Sequence, residues 1–309
     1  MSLRYDVGEP DAGARLDVWL VRHVEGMSRA KARRMIEEGS VRLNGRRVRK
    51  GARVASGDAI ELEHAPPPSD FVAPRCPDLE LVVRYQDERL TIVDKPAGLP
   101  THPLRVDDTR TLAGALLARY PEMEGVGYSL REPGIVHRLD NDTSGLVLAA
   151  RDAESFDALR EALRAGRIDK RYLALVAAPP SVLRVEYPIA PHPSDPRRVH
   201  ACIDTHDRLL VEARDAVTEI VHVEARGPFA LVELRVNAAV RHQIRAHLAA
   251  LGCPLVGDWL YGGPEHDGLR RHFLHASEIA FDHPFTGELI RARSPLPSEL
   301  AALLAELAR

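Results

Sequence analysis

The sequence predicts an α+β protein in two parts: a small N-terminal α/β unit and a larger body built on a mixed, largely antiparallel sheet with flanking helices. Three observations carry this reading. Short β-rich runs and helical runs are mixed without the strict alternation that a parallel α/β sheet requires. The stretch HAPPPSDFVAP, residues 64–74, holds four prolines and no periodicity, so it reads as an extended linker. The 309 residues, 45% of them hydrophobic, suffice for one large core and one small one.

The N-terminal unit is expected over residues 13–63. In ARLDVWLVRHV the residues Leu16, Trp19, Leu20, His23 and Val24 fall on or near one helical face. Ser28 is placed to cap a second helix, SRAKARRMIEEG, which Gly39 closes. SVRLNGRRV gives two short strands hinged at Asn44-Gly45, and GDAIELE gives another strand after a turn. A linker is expected over 64–79 and the main body over 80–309. There, strands are expected at 81–84, 90–93, 145–150, 172–176, 221–224 and 230–236. SFDALREALRAG is the clearest helix, with Asp152 or Ser155 as its cap and Gly166 as its stop.

The formal net charge is only −3, but the charge is unevenly spread. Between Gly13 and Val54, twelve arginines and lysines face four acidic residues. Such asymmetry points to a nucleic-acid-binding end, and Arg29, Lys31, Arg33, Arg34, Arg46, Arg47 and Lys50 are its candidate RNA contacts. The bland alternative is a solvated helix face. Three scattered cysteines without a C-x-x-C pair argue against a disulfide framework or a zinc knuckle and suggest a reducing cytoplasm. No apolar run approaches the length of a membrane span, so no membrane partner is expected. Nucleotide-binding glycine motifs are absent, and His242 and His247 are spaced too far apart for one helix face, so neither a metal nor an organic cofactor is expected. Lysine occurs at only four positions, Lys31, Lys50, Lys95 and Lys170, in a chain rich in arginine. That bias draws attention to the two lysines of the main body.

The stretch GIVHRLDNDTSGLVLAA, residues 134–150, sets Arg138, Asp140 and Asp142 at the entrance to an apolar run that reads as a buried strand. Charge near a core is costly unless paired. One explanation is an ion-paired turn in which Asp142 or Ser144 caps backbone donors; the other is a reaction site.

Three further segments carry comparable polar detail: VDKPAGLPTHP, IDKRYLALV and RHQIRAHLAALGCPLVGDWLYGG. With HRLD-x-x-TSG, and with the later LHA, HPF-T-GE and PLP phrases, they make residues 80–309 resemble the RluA/RluD-type pseudouridine synthases. The N-terminal unit, through SRAKARRMIEEGSVRLNGRRV and its GD turn, resembles the S-four-like RNA-binding domain. The resemblance implies a pseudouridine-synthase-type fold and a cofactor-free isomerisation in which a uracil base is detached from its ribose, turned, and rejoined through carbon five. It places the essential aspartate at Asp140, as nucleophile at the anomeric carbon or base at its neighbour, with Arg245 as ion-pair partner. Tyr172 would pack on the base and assist proton transfer, and Arg138 would fill the space left by the flipped nucleotide. His137, His242 and Gln243 fall at further substrate-binding positions. Lys95 and Lys170 lie near the cleft, where they contact phosphate or support the site. Asp142 matches no family role and is read as a capping carboxylate.

The chain departs from the family's T-G-R-x-HQIR phrase, reading Ala238-Ala239-Val240-Arg241 before His242. The expected partner is RNA, ribosomal and of the large subunit, because an attached S-four-like domain accompanies that substrate class; a cytoplasmic monomer is expected. The competing readings are a transfer-RNA synthase of the same chemistry and a non-catalytic RNA-binding assembly factor. A metal-dependent hydrolase lacks its ligands.

Overall fold

The computed structural model describes residues 3–25, 27, 29–49, 51–64, 71–204, 206–237 and 239–308. Ser28, Lys50 and Ala238 lie outside the described residues. The chain divides between Phe71 and Val72, inside the stretch expected as a linker.

The smaller unit runs β1 (Leu3–Asp6), α1 (Leu16–His23), α2 (Arg29–Glu38), β2 (Val41–Leu43), β3 (Arg46–Arg47) and β4 (Ala59–Leu62). Its sheet has the order β1-β4-β2-β3 with every pairing antiparallel. Asn44 and Gly45 both take positive φ, 52° and 75°, as a two-residue hairpin with matching twist demands. The Asn44 side chain fastens that turn, donating to Asp58 and accepting the Ala59 N–H, both at 2.8 Å. Leu16, Trp19 and Leu20 of α1 meet Ala32, Met35 and Ile36 of α2 over Ile60 and Leu62 in one buried cluster.

In the larger unit the chain packs almost at once: Ala73 is buried and the Cys76 N–H donates to the Gly114 carbonyl. The latter part of the expected linker is therefore folded against this unit. Its elements are β5 (Val82–Gln86), β6 (Leu90–Lys95), α3 (Leu112–Arg119), β7 (Ser144–Ala150), α4 (Ala153–Arg164), β8 (Asp169–Val176), β9 (Arg184–Val185), β10 (Ile189–Pro191), β11 (Val199–Ala201), β12 (Thr218–Arg226), β13 (Phe229–Arg235), α5 (Gln243–Ala250), β14 (Leu274–Asp282), β15 (Leu289–Arg293) and α6 (Ser298–Leu307). Nine strands form the main sheet, ordered β5-β6-β7-β14-β8-β13-β12-β9, with β15 on β14. A hairpin of β10 and β11 stands apart. No helix among the described residues is long and apolar enough to cross a membrane.

Strand β7 explains why 146–150 reads as an unbroken apolar run. Leu146, Leu148 and Ala150 face α4 residues Phe156 and Leu159, while Val147 and Ala149 join the opposite core with α3 residues Leu112 and Leu116. Both faces are buried, so alternation disappears. β7 meets β14 in parallel through Ser144 and Gly145, and every other pairing of the main sheet is antiparallel. At that junction Gly145 takes φ 114°, and a Cβ there would lie 2.2 Å from the Ala276 carbonyl oxygen, so only glycine fits. The helix α4 begins at the expected Asp152 cap, which accepts the Ser155 N–H at 2.8 Å.

Candidate active site

The loop that precedes β7 is held by its carbonyls, one residue after another. Thr101 Oγ1 donates to the Leu139 oxygen at 2.7 Å, and the Thr143 N–H donates to the Asp140 oxygen. Lys95 Nζ and the Gly98 N–H both reach the Asn141 oxygen, at 2.9 and 2.8 Å, and Arg271 Nη1 reaches that of Asp142 at 2.9 Å. His272 Nε2 lies 2.8 Å from Thr143 Oγ1, and Arg271 Nη2 donates to Ser144 Oγ at 3.1 Å. With its backbone so committed, the loop fixes where the Asp140 side chain points.

Asp140 faces a cleft lined by Arg138, Tyr172, Val240, His242 and Arg245. Its Oδ2 accepts from Arg245 Nη1 at 3.1 Å, and the carboxylate keeps one fifth of its exposure. Arg245 projects from α5 and is gripped from behind: Nε and Nη2 donate to the two oxygens of buried Asp258 at 2.7 and 2.9 Å. This bidentate pair leaves only Nη1 for Asp140. Burial would lower the Arg245 pKa, but Asp258 and then Asp140 more than offset it, and the guanidinium stays charged. Burial likewise pushes the Asp140 pKa up, yet His242, Arg245 and His272 together bring it below its ordinary value. Both imidazoles have themselves been pushed down to about 4 by burial, so near neutrality Arg245 supplies the lasting positive charge.

Tyr172 on β8 is buried under the same cleft, and burial followed by the nearby Asp140 charge raises its pKa, keeping the hydroxyl protonated. Arg138 Nη1 lies 3.2 Å from His102 Nε2, and the residue is exposed at the cleft wall. His242 caps α5 in a left-handed conformation, φ 54°, and its Nδ1 lies 3.0 Å from the Tyr261 hydroxyl, leaving Nε2 3.6 Å from Asp140.

Four further candidate site residues spend their polar atoms inside the fold or are buried in it. Lys95 is fully buried, its ammonium donating to the carbonyls of Pro96, Leu99 and Asn141, so it supports the loop and cannot reach a phosphate. Burial lowers its pKa to about 7. Lys170 is 2% exposed with no hydrogen-bond partner for its ammonium among the described residues, and burial lowers it to about 8. His137 turns inward and accepts the Leu148 N–H at 3.2 Å. Gln243 spends its amide on Val217, Thr218 and the Val240 N–H, bracing the turn before α5. Asp142 is no cap: its carboxylate is exposed and accepts no hydrogen bond from the described residues. His247 is buried against Thr218 and Tyr187, apart from His242.

In the smaller unit, Arg46 and Arg47 are exposed, with Arg47 donating to the Glu38 carbonyl, and Arg33 lies 3.6 Å from Asp17. Acidic neighbours are thus nearer than helical spacing suggested. The side chains of Arg29 and Arg34 lie outside what is described, and Lys31 is half-buried. One trio among the described residues, His200, Cys202 and Asp207, brings ligand-type atoms within 4.8 Å. His200 and Asp207 are hydrogen-bonded directly at 2.6 Å, and none of the three lines the Asp140 cleft.

Sequence reasoning missed Asp258, Thr101, Arg271 and His272. Asp258 stood in the GDWLYGG phrase as a charge beside apolar residues, a signal of the same kind as Asp140.

Comparison with known proteins agrees with this geometry. Residues 89–250 match the RNA pseudouridylate synthase family, and residues 14–60 match the S4 domain. An uncharacterized RNA pseudouridine synthase of Chloroflexus aurantiacus is 38% identical over 95% of this chain and 90% of its own. Ribosomal large subunit pseudouridine synthase D of Xanthomonas campestris is 35% identical over 99% of this chain and 93% of its own. The solved structure of human RNA Pseudouridylate Synthase Domain Containing 1 superposes with a TM-score of 0.54 at 25% identity, covering 72% of this chain and 87% of that one. A chain that carries its HRLD aspartate on a clamped loop against an arginine, and matches such relatives from end to end, belongs to the RluA/RluD-type RNA pseudouridine synthases.

Proposed function

We propose that this enzyme isomerises uridine in large-subunit ribosomal RNA, with residues 13–63 docking the RNA and residues 80–309 performing the reaction. The observation that carries the catalytic assignment is the 3.1 Å hydrogen bond from Arg245 to Asp140 at the open cleft. An ionised carboxylate serves at either ribose carbon, and Arg245 keeps it ionised. In the reaction the bond from ribose C1′ to N1 breaks, the base turns, C1′ joins C5, the C5 proton leaves and N1 gains one. Tyr172, held protonated, offers its ring to the base and its hydroxyl as a donor. Arg138, exposed at the same cleft, occupies the gap that the extruded nucleotide leaves.

The ribosomal substrate is supported by the Xanthomonas relative, which is named a large-subunit synthase, and by the exposed arginines of the smaller unit. The test is to map pseudouridines in ribosomal and transfer RNA from cells with and without this protein. Sites lost from large-subunit RNA support the reading; losses confined to transfer RNA overturn it.

A further inference from the structure

The chain has two tryptophans, and they are placed oppositely. Trp19 is 2% exposed in the core of the smaller unit, whereas Trp259 is 69% exposed. Trp259 directly follows Asp258, the carboxylate that grips Arg245, and opens the short turn that ends at Tyr261, whose hydroxyl touches His242. That turn is wedged in place. A Cβ at Gly257 would lie 2.1 Å from the Arg271 carbonyl oxygen, and one at Gly263 would lie 1.8 Å from that of Leu255. The indole is thus displayed on a rigid base that also anchors the catalytic arginine.

A cation stands beside it. The Arg197 guanidinium lies 5.8 Å from the Trp259 ring centre and is exposed; Asp195 pairs with its Nε and Nη2 at 3.0 and 2.8 Å, which leaves Nη1 to face an incoming phosphate. Arg241, immediately before His242, holds the loop that carries Arg197 by donating to the carbonyls of Pro196 and Arg197. Arg198 lies over the ring of Tyr261 at 5.2 Å. The strip from Trp259 and Arg197 therefore continues through Tyr261 and His242 to Asp140.

We infer that the exposed indole of Trp259, with Arg197 beside it, is a stacking platform for an unpaired nucleobase of the RNA strand that flanks the target uridine. Any base presents a π face to the indole, and the guanidinium complements the phosphate that follows it. A protein partner would also suit an exposed tryptophan beside arginine. The RNA strand is favoured because the platform shares its turn with the anchor of Arg245, where substrate must pass. The inference rests on RNA entering at the Asp140 cleft.

Two measurements on the full chain test it. Tryptophan emission is followed while a single-stranded uridine dodecamer is added to the wild type and to Trp259→Phe. Quenching in the wild type that is absent from Trp259→Phe, where Trp19 remains, supports the platform. No quenching, or equal quenching in both, overturns it. Kinetics are then measured on an in vitro transcript of large-subunit RNA, which contains no pseudouridine. Trp259→Ala is expected to raise KM about tenfold with kcat within about twofold, and Trp259→Phe to restore most of the loss. An unchanged KM in Trp259→Ala overturns the platform. Wild-type enzyme that leaves the transcript unmodified yet is quenched by the dodecamer overturns the ribosomal substrate and supports the platform.

Discussion

Asp140 accepts one hydrogen bond from Arg245, at 3.1 Å, while the other edge of the same guanidinium is held by Asp258 at 2.7 and 2.9 Å. The arginine is therefore shared unequally. Its stronger pairing is structural and its weaker one faces the cleft, so the charge beside Asp140 is fixed in place before substrate arrives.

Asp140→Asn tests the reacting carboxylate. It keeps shape and some hydrogen bonding but removes the charge, so the variant is expected to fold, bind RNA and form no pseudouridine. If Asp140 only pairs within a turn, the change costs about 1 kcal/mol of stability and activity persists. Pseudouridine formation and thermal stability are measured on one preparation. A stable variant with more than about a tenth of wild-type turnover, a barrier change of only about 1.4 kcal/mol, rules the assignment out.

Asp258→Asn tests the anchor. The substitution leaves Arg245 buried with half its pairing, at an expected cost of about 3 kcal/mol. It also frees the guanidinium to shift, and kcat should fall about 100-fold, the scale of a misplaced catalytic group. Denaturant unfolding and single-turnover kinetics check the two effects separately; a normal kcat would show that the Asp258 pairing is dispensable to catalysis.

The buried Lys95 makes stability depend on pH. Burial lowers its folded-state pKa to about 7 from an ordinary value of 10.5, so between those limits the unfolded chain binds the extra proton. Stability contributed by this group therefore rises as pH increases above 7, by up to about 1.4 kcal/mol per pH unit. In Lys95→Met that slope should vanish, although the variant also loses the hydrogen bonds to Pro96, Leu99 and Asn141. Unfolding curves at pH 7 and 9 decide it: equal slopes for wild type and variant contradict the depressed pKa.

Arg46→Gln tests the basic end. Arg46 is exposed on β3, so its loss should leave folding intact and reduce the salt dependence of RNA affinity by about one unit of log–log slope. Binding titrations between low and physiological salt measure that slope, and an unchanged value would remove Arg46 from the RNA contacts.

Local pattern carried much of this protein. The apolar run after Thr143, the Asp152 cap and the Asn44-Gly45 hinge are set by neighbours in sequence, and the structure has them where spacing puts them. Motif phrases singled out Asp140, Tyr172 and Arg245, which the fold brings to one cleft. Spacing left Lys95 and Lys170 open between phosphate contact and support of the site, because burial is decided by strands and loops far along the chain, such as the contact between Lys95 and Asn141. The pairing of β14 with β7 and the clamp from Arg271 and His272 join segments about 130 residues apart, and no local periodicity reports them.

That clamp bears on the order in which the enzyme becomes competent during synthesis. Arg271, which holds Asp142 and Ser144, is itself bonded at 2.8 Å to Glu299 in α6, near the end of the chain. A nascent chain still threaded through the ribosome at residue 299 has made β7 and β14, but the loop that carries Asp140 lacks this last brace. Closure of that loop is thus tied to the docking of α6 on Arg271, a contact made long after β7 has left the tunnel.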